Sequence, residues 1–249
     1  MSTASTVHQT ADLGERLMEA MRFRTVFVIK AAGHQFPITE TVIVCWAVMA
    51  VLIIGSFLLT RKLKDVPEGP QVLLESFVGF INSFSKEHFG HRWARYAPYL
   101  GTLFLFLIVS NLIPVLSPMG AFGVEPAFTI KPPMRDINVT AALAVTSIGI
   151  VLVSGLRARG IAGWLKHLAH PIPFMIPFNL MEFVVRPLSL CLRLFGNILG
   201  SFIIMRLIEG VAPIGIPPLL SLYFDILDGL IQALVFTFLT TLFIAEAIE

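Results

Sequence analysis

Three stretches of this sequence carry no charged side chain for twenty residues or more: Thr41–Thr60, Tyr96–Val124 and Ile137–Leu156. The hydrocarbon core of a bilayer is crossed by about 20 residues of α-helix, and inside it every backbone N–H and C=O must be satisfied within the segment. Runs of this kind fix helices as the structure and lipid as the solvent. The composition agrees, since 56% hydrophobic and 14% charged residues with a mean hydropathy of +0.82 lie far from a soluble globular domain. The 249 residues divide into about five spanning helices and one amphipathic membrane-surface helix, an all-α polytopic membrane protein. A net charge of +2 is too small to imply a nucleic-acid partner. Cys45 and Cys191 lie inside apolar runs, where a disulfide framework has no reason to exist.

The order of segments follows from charge and proline. Residues 1–40 carry Asp12, Glu15, Arg16, Glu19, Arg22 and Arg24 without a compact apolar core, so they read as a tail and not a cleavable leader. Thr41–Thr60 ends against Arg61-Lys62-x-Lys64, which puts its C-terminal end in the cytoplasm and residues 1–40 outside. Residues 41–249 then form a single membrane domain. Over 70–90, Leu73, Phe77, Ile81 and Phe84 recur at helical spacing opposite Glu75, Asn82, Lys86 and Glu87, the pattern of a helix on the membrane surface. A second span is expected from about Pro98 to Leu116, with Pro114, Pro118 and Gly120 ending its regularity. The third, Ile137–Leu156, is followed by Arg157, Arg159 and Lys166, a second basic cytoplasmic loop. Pro171, Pro173 and Pro177 argue against regular helix over 170–177. A further element is expected over Phe178–Arg206, then a loop with Pro213, Pro217 and Pro218, then a final helix from about Leu219.

Arg193 lies in the middle of the apolar stretch Leu188–Leu207. A guanidinium at that depth costs at least about 2.5 kcal/mol on insertion scales and does not deprotonate, so it must face a cavity or a partner. Glu182, Arg186, Ser189, Arg193, Gly196 or Asn197, and Gly200 follow one another at steps of three or four and share one helix face. The final helix repeats the pattern with Asp225, Asp228 or Gly229, and Gln232. Arg193 is thirteen residues inward from Arg206, and Gln232 fourteen inward from Pro218. Both are therefore expected about 20 Å from the outer boundary, level with each other. Asn197 and Asp228 lie shallower, Glu182 and Ser189 on the cytoplasmic side. The arrangement reads as two offset half-paths separated by a permanent cation.

Plainer readings exist for each residue. Glu182 and Arg186 fit an interfacial ion pair, Ser189 a bond to a backbone carbonyl, and Gly196-x-x-x-Gly200 close helix packing. Arg193 could form a buried structural pair with Asp225 or Asp228. Glu209 and Glu246 lie near helix ends, where solvation is expected. All six histidines fall outside the expected spans, which leaves a metal or redox role unsupported.

The run Arg186-Pro-Leu-Ser-Leu-Cys-Leu-Arg-Leu-Phe-Gly-Asn197 resembles the signature of subunit a of F-type rotary ATP synthase, as do Pro133–Thr140, Pro177–Glu182 and Ile231–Thr237. The resemblance implies a non-catalytic stator in an energy-transducing membrane, the cell inner membrane or its equivalent. It would carry ions through two half-channels to a ring of c subunits, alongside peripheral-stalk b subunits and the rest of the complex, without a cofactor. It further implies that Arg193 is the essential ion-gating arginine, that Asn197, Asp225, Asp228 and Gln232 line the outer half-channel, and that Glu182 and Ser189 line the cytoplasmic one. Gly196 and Gly200 would pack at the c-ring. The family often carries Glu or His nine residues after the arginine; here that residue is Phe202, preceded by Ser201. The carboxylate function is then expected from Asp225 and Asp228 on the facing helix. A stand-alone secondary ion or anion transporter is the alternative, and would favour pseudo-repeats and a broken-helix pair, which the sequence lacks.

Overall fold

The computed structural model describes residues 25–31, 34–61, 63–116, 132–168, 176–211, 220 and 223–248. Among these, six α-helices follow a short β-hairpin. Five stretches are long and apolar enough to cross a bilayer: Glu40–Thr60, one within Pro70–Ile113, Ile137–Ile161, Ile176–Met205 and Ile226–Ile248. The hairpin pairs Thr25–Ala31 (β1) with His34–Thr39 (β2) antiparallel. It occupies part of the segment that composition marks only as a tail. Its β-branched and aromatic run, Thr25-Val-Phe-Val-Ile29, suits a pleated strand.

Helix α1, Glu40–Thr60, buries only Thr41 and Val48. Trp46, Ile53, Ile54, Phe57 and Leu58 are exposed, as expected of side chains solvated by lipid. It is fastened at its N-terminal end, where Thr41 Oγ1 donates to Asp136 Oδ2 at 2.8 Å. Helix α2, Pro70–Phe89, starts after Gly69 at φ 60° with proline at its first position, and stops at Gly90 at φ 51°. A 3-10 turn, Gly90–Arg92, returns the chain into α3, Trp93–Leu116. The two helices pack antiparallel: Phe77 stacks on Phe104 at 6.1 Å, Gly101 meets Ile81, and the Lys86 ammonium lies 4.7 Å from the Trp93 ring. Leu73 shares the apolar spacing of Phe77 and Ile81 but is 75% exposed, so the apolar arc of α2 is wider than its docking face. Helix α3 continues through Pro114 to Leu116, further than the proline suggested; Pro118 and Gly120 lie outside the described residues.

Helix α4, Ile137–Leu168, begins after a 3-10 turn over Pro133–Arg135. Asp136 caps it: Oδ1 accepts the backbone N–H and the side-chain amide of Asn138, both at 3.0 Å. Such a cap contributes about 1 kcal/mol. The spanning part ends near Gly160, whose φ of 71° breaks the helix just past Arg157 and Arg159. Helix α5, Ile176–Val211, starts earlier than the proline-rich segment suggested, because Pro177 falls in the first turn, where no N–H is required. The expected start of the final helix at Leu219 lies outside the described residues. A π turn over Tyr223–Asp228 precedes α6, Gly229–Ile248.

Helix α4 is the centre of the bundle, packed against both α5 and α6. Met134, Ala144, Leu190, Cys191, Leu194, Ala233 and Phe236 form one buried cluster with Leu103, Phe104 and Leu107 of α3. Gly155 allows close approach, since a Cβ there would lie 3.3 Å from the Ala247 carbonyl.

Candidate functional site

Helix α5 divides into two faces. Leu190, Cys191 and Leu194 are buried against the core, whereas Glu182, Ser189, Arg193 and Gly196 are exposed and Asn197 and Gly200 half-buried. The polar stripe therefore lies beside the packed face and opens away from it. Arg193 has no ion pair among the described residues, which removes the reading of a buried structural pair with Asp228. A Cβ added at Gly196 or Gly200 would meet nothing within 4 Å. Among the described residues neither glycine is used for close packing, and the surface they flatten is exposed at Gly196 and half-buried at Gly200.

Side-chain contacts connect α5 to α6 and to the π turn before it, on either side of Arg193. On one side the Arg186 guanidinium donates to Glu182 Oε2 at 2.5 Å and to Glu246 Oε1 at 2.7 Å, and lies 4.9 Å from the Phe243 ring. The expected Glu182–Arg186 pair is thus present, and Glu246, though exposed, joins it. On the other side Ser201 Oγ, which donates to Asn197 O at 2.9 Å, approaches Asp228 Oδ2 at 3.5 Å. Ser201 opposite Asp228 in an antiparallel pair puts Asn197 level with Gln232 and Arg193 level with Phe236. Gln232 is consequently displaced by about one turn, about 5 Å, toward the C-terminal end of α5 from the level of Arg193 that counting from Arg206 and Pro218 predicts. Those residues are unequal depth markers, because a π turn with its wider coil begins the last segment.

Gln232 also points differently from the other members. It is 5% exposed and lies on the buried side of α6 with Ala233, Phe236 and Thr237, against α3 and α4. Asp228 is half-buried. The Asp225 side chain, like those of Arg206 and Glu209, lies outside the described residues. The site therefore gathers Ser201 and Asp228, with Asn197 and Gln232 level, toward the C-terminal end of α5 from Arg193. Glu182, Arg186 and Glu246 gather toward its N-terminal end, while Ser189 stands apart on the exposed face.

Sequence reasoning assigned no role to Arg135. It is 4% exposed, and its guanidinium lies 3.9 Å over the Phe202 ring. A buried cation on an aromatic face gains about 2 kcal/mol where desolvated. Phe202, nine residues after Arg193, is the platform for this arginine. Asp136, next in sequence, is held by Thr41 and Asn138. A charged pair inside the otherwise helix-starting run Pro133–Thr140 was the available signal, although burial and the aromatic partner depend on tertiary structure.

A family model described as ATP synthase A chain matches residues 42–245. The chain is 39% identical over 213 residues to ATP synthase subunit a of Moorella thermoacetica, covering 86% of this chain and 92% of that protein. It is 35% identical over 239 residues to the sodium ion specific ATP synthase subunit a of Propionigenium modestum, covering 93% and 82%. It is 33% identical over 214 residues to ATP synthase subunit a 1 of Crocosphaera subtropica, covering 85% and 88%.

Proposed function

This chain belongs to the ATP synthase A chain family and is a membrane-embedded, multi-pass subunit of the membrane sector of an ATP synthase, and from that premise we propose that it is the stator that delivers ions to a rotating ring of c subunits. The observation that carries the reading is Arg193: a permanent cation deep in an apolar helix, turned outward, without an ion pair among the described residues, beside glycines that leave the surface bare. A carboxylate on a ring subunit stays neutral in lipid by binding an ion, because an ionised carboxylate in hydrocarbon is strongly penalised. Beside Arg193 it can ionise and release that ion. The outer half-path runs by Asp225, Asp228, Asn197 and Gln232 toward Arg193, the inner one by Ser189 and Glu182. The cation between them blocks direct passage, so a transmembrane gradient drives rotation and not a leak. The chain itself forms no phosphate bond and uses no cofactor; it acts through the ring, the peripheral-stalk b subunits and the catalytic part of the complex.

The partner is testable directly. A photoactivatable side chain at Leu188 or Leu192, both exposed on α5, is expected to capture a small membrane protein with a carboxylate near mid-membrane. The same group at buried Phe236 is expected to capture nothing. Capture of any other protein from Leu192, or none, would sink the ring-facing assignment.

The direction of the half-paths depends on topology. In a background lacking Cys45 and Cys191, cysteines at Leu63 and Ala158 should react with an impermeant thiol reagent only from the cytoplasmic side. A cysteine at Phe122 should react only from outside, as should one in the tail 1–40. Reversed labelling would exchange the two half-paths.

A further inference from the structure

The polar stripe of α5 has a packed row beside it. Ser189, Arg193, Asn197 and Ser201 follow one another at steps of four, and Leu190, Leu194, Ile198 and Phe202 each come one residue later. One residue turns an α-helix by about 100°, so whatever seats the second row also sets the direction of the first. Leu190 and Leu194 are buried in the apolar core, and Ile198 packs against it. Phe202, one turn further, has a cation for its seat, the Arg135 guanidinium at 3.9 Å.

That seat is itself held in place. Pro133, Met134 and Arg135 form a 3-10 turn buried throughout, and Met134 belongs to the apolar core. Asp136, next along, accepts from Thr41 of α1 and from Asn138 of α4, so the turn cannot shift without straining those bonds. Arginine suits such a place, because a planar, weakly hydrated guanidinium stacks on an aromatic face better than an ammonium does. In the adjacent row Ser201 Oγ meets Asp228 Oδ2 at 3.5 Å. Rotating a helix by about 20° moves a Cα, about 2.3 Å from the axis, by about 0.8 Å and its side chain by more. A contact already this long would part. We propose that Arg135 is a positioning residue for the ion path: by clamping Phe202 it fixes the rotation of α5 at which Ser201 faces Asp228 and Arg193 faces away from the core. The proposal rests on the half-path reading above for its effect on synthesis, whereas the clamp is read from geometry. It gives a task to an arginine outside both polar stripes.

The test uses the complete ATP synthase in membrane vesicles, with Cys45 and Cys191 replaced. In Ser201→Cys with Asp228→Cys, a short bifunctional methanethiosulfonate should bridge the two thiols, a readout of geometry that needs no activity. Adding Phe202→Leu, which keeps apolar bulk and removes the ring, or Arg135→Gln, which removes the charge, should lower the bridged fraction about threefold or more. Phe202→Tyr and Arg135→Lys keep a ring and a cation, and should retain most of it. With Ser201 and Asp228 intact, Arg135→Gln should lower the synthesis rate per assembled complex about tenfold by misplacing the stripe. If Arg135→Gln does not assemble, Phe202→Leu against Phe202→Tyr decides on both readouts. Unchanged bridging in assembled Arg135→Gln or Phe202→Leu overturns the clamp, as does equal loss in Phe202→Leu and Phe202→Tyr. Lost bridging with an unchanged synthesis rate overturns its part in the path. Failure of the half-path reading itself is seen separately, as synthesis that survives Arg193→Ala.

Discussion

Vesicles carrying Arg193→Ala are expected to lose ion-driven ATP synthesis by about a hundredfold or more while the complex still assembles; each factor of ten corresponds to about 1.4 kcal/mol. Retained assembly follows from the geometry. Arg193 is exposed and has no ion pair among the described residues, so its removal strands no described carboxylate, and the Leu190, Cys191 and Leu194 face stays intact. Arg193→Lys is expected to be severely impaired as well. A desolvated ammonium can lose its proton, whereas the guanidinium cannot, and a single hydrated point charge does not replace a planar fork. Passive ion leak should rise in Arg193→Ala, because nothing would then separate the proposed half-paths. Normal synthesis per assembled complex would remove the basis for the proposed mechanism.

The second large effect is expected from Asp225→Asn combined with Asp228→Asn, which keeps polarity and removes both carboxylates from the proposed outer half-path. Synthesis per assembled complex should fall strongly, whereas Glu209→Gln should change little. Measuring rate and quantity of complex together separates relay from scaffold: a scaffold role lowers the amount assembled and leaves the rate per complex unchanged. Among the described residues Asp228 receives one long hydrogen bond, from Ser201 at 3.5 Å, so no strong partner among them holds its carboxylate. Phe202→Glu in the double variant tests whether the carboxylate can move to α5. The introduced side chain would meet the Arg135 guanidinium that now covers the Phe202 ring. Rescue should therefore be partial, and absent with Phe202→Gln.

The spans were legible because lipid leaves a chain little choice: Thr41–Thr60 and Ile137–Leu156 can only be helices, and both are. The stripe around Arg193 was legible for the related reason that periodicity fixes which side chains share a face. What depended on a neighbouring element was not. The facing of Gln232 into the bundle required the position of α3, and its depth required the π turn. Arg135 is ordinary in sequence and becomes informative only when Phe202 is beneath it. The hairpin before α1 was hidden by a different cause, since charge counts identify a tail and say nothing of strand pairing.

Gly196 and Gly200 bear on how α5 can meet a moving neighbour. Helices that pack statically interlock, with ridges seated in grooves, and sliding one past the other means lifting side chains over side chains. A strip without side chains has no ridge to lift. For the ring proposed above, it acts as clearance in a bearing, close enough for a charge to be felt and smooth enough for the next subunit to pass. A bulky residue at Gly196 would then act as a brake, slowing rotation in both directions without touching the ion path.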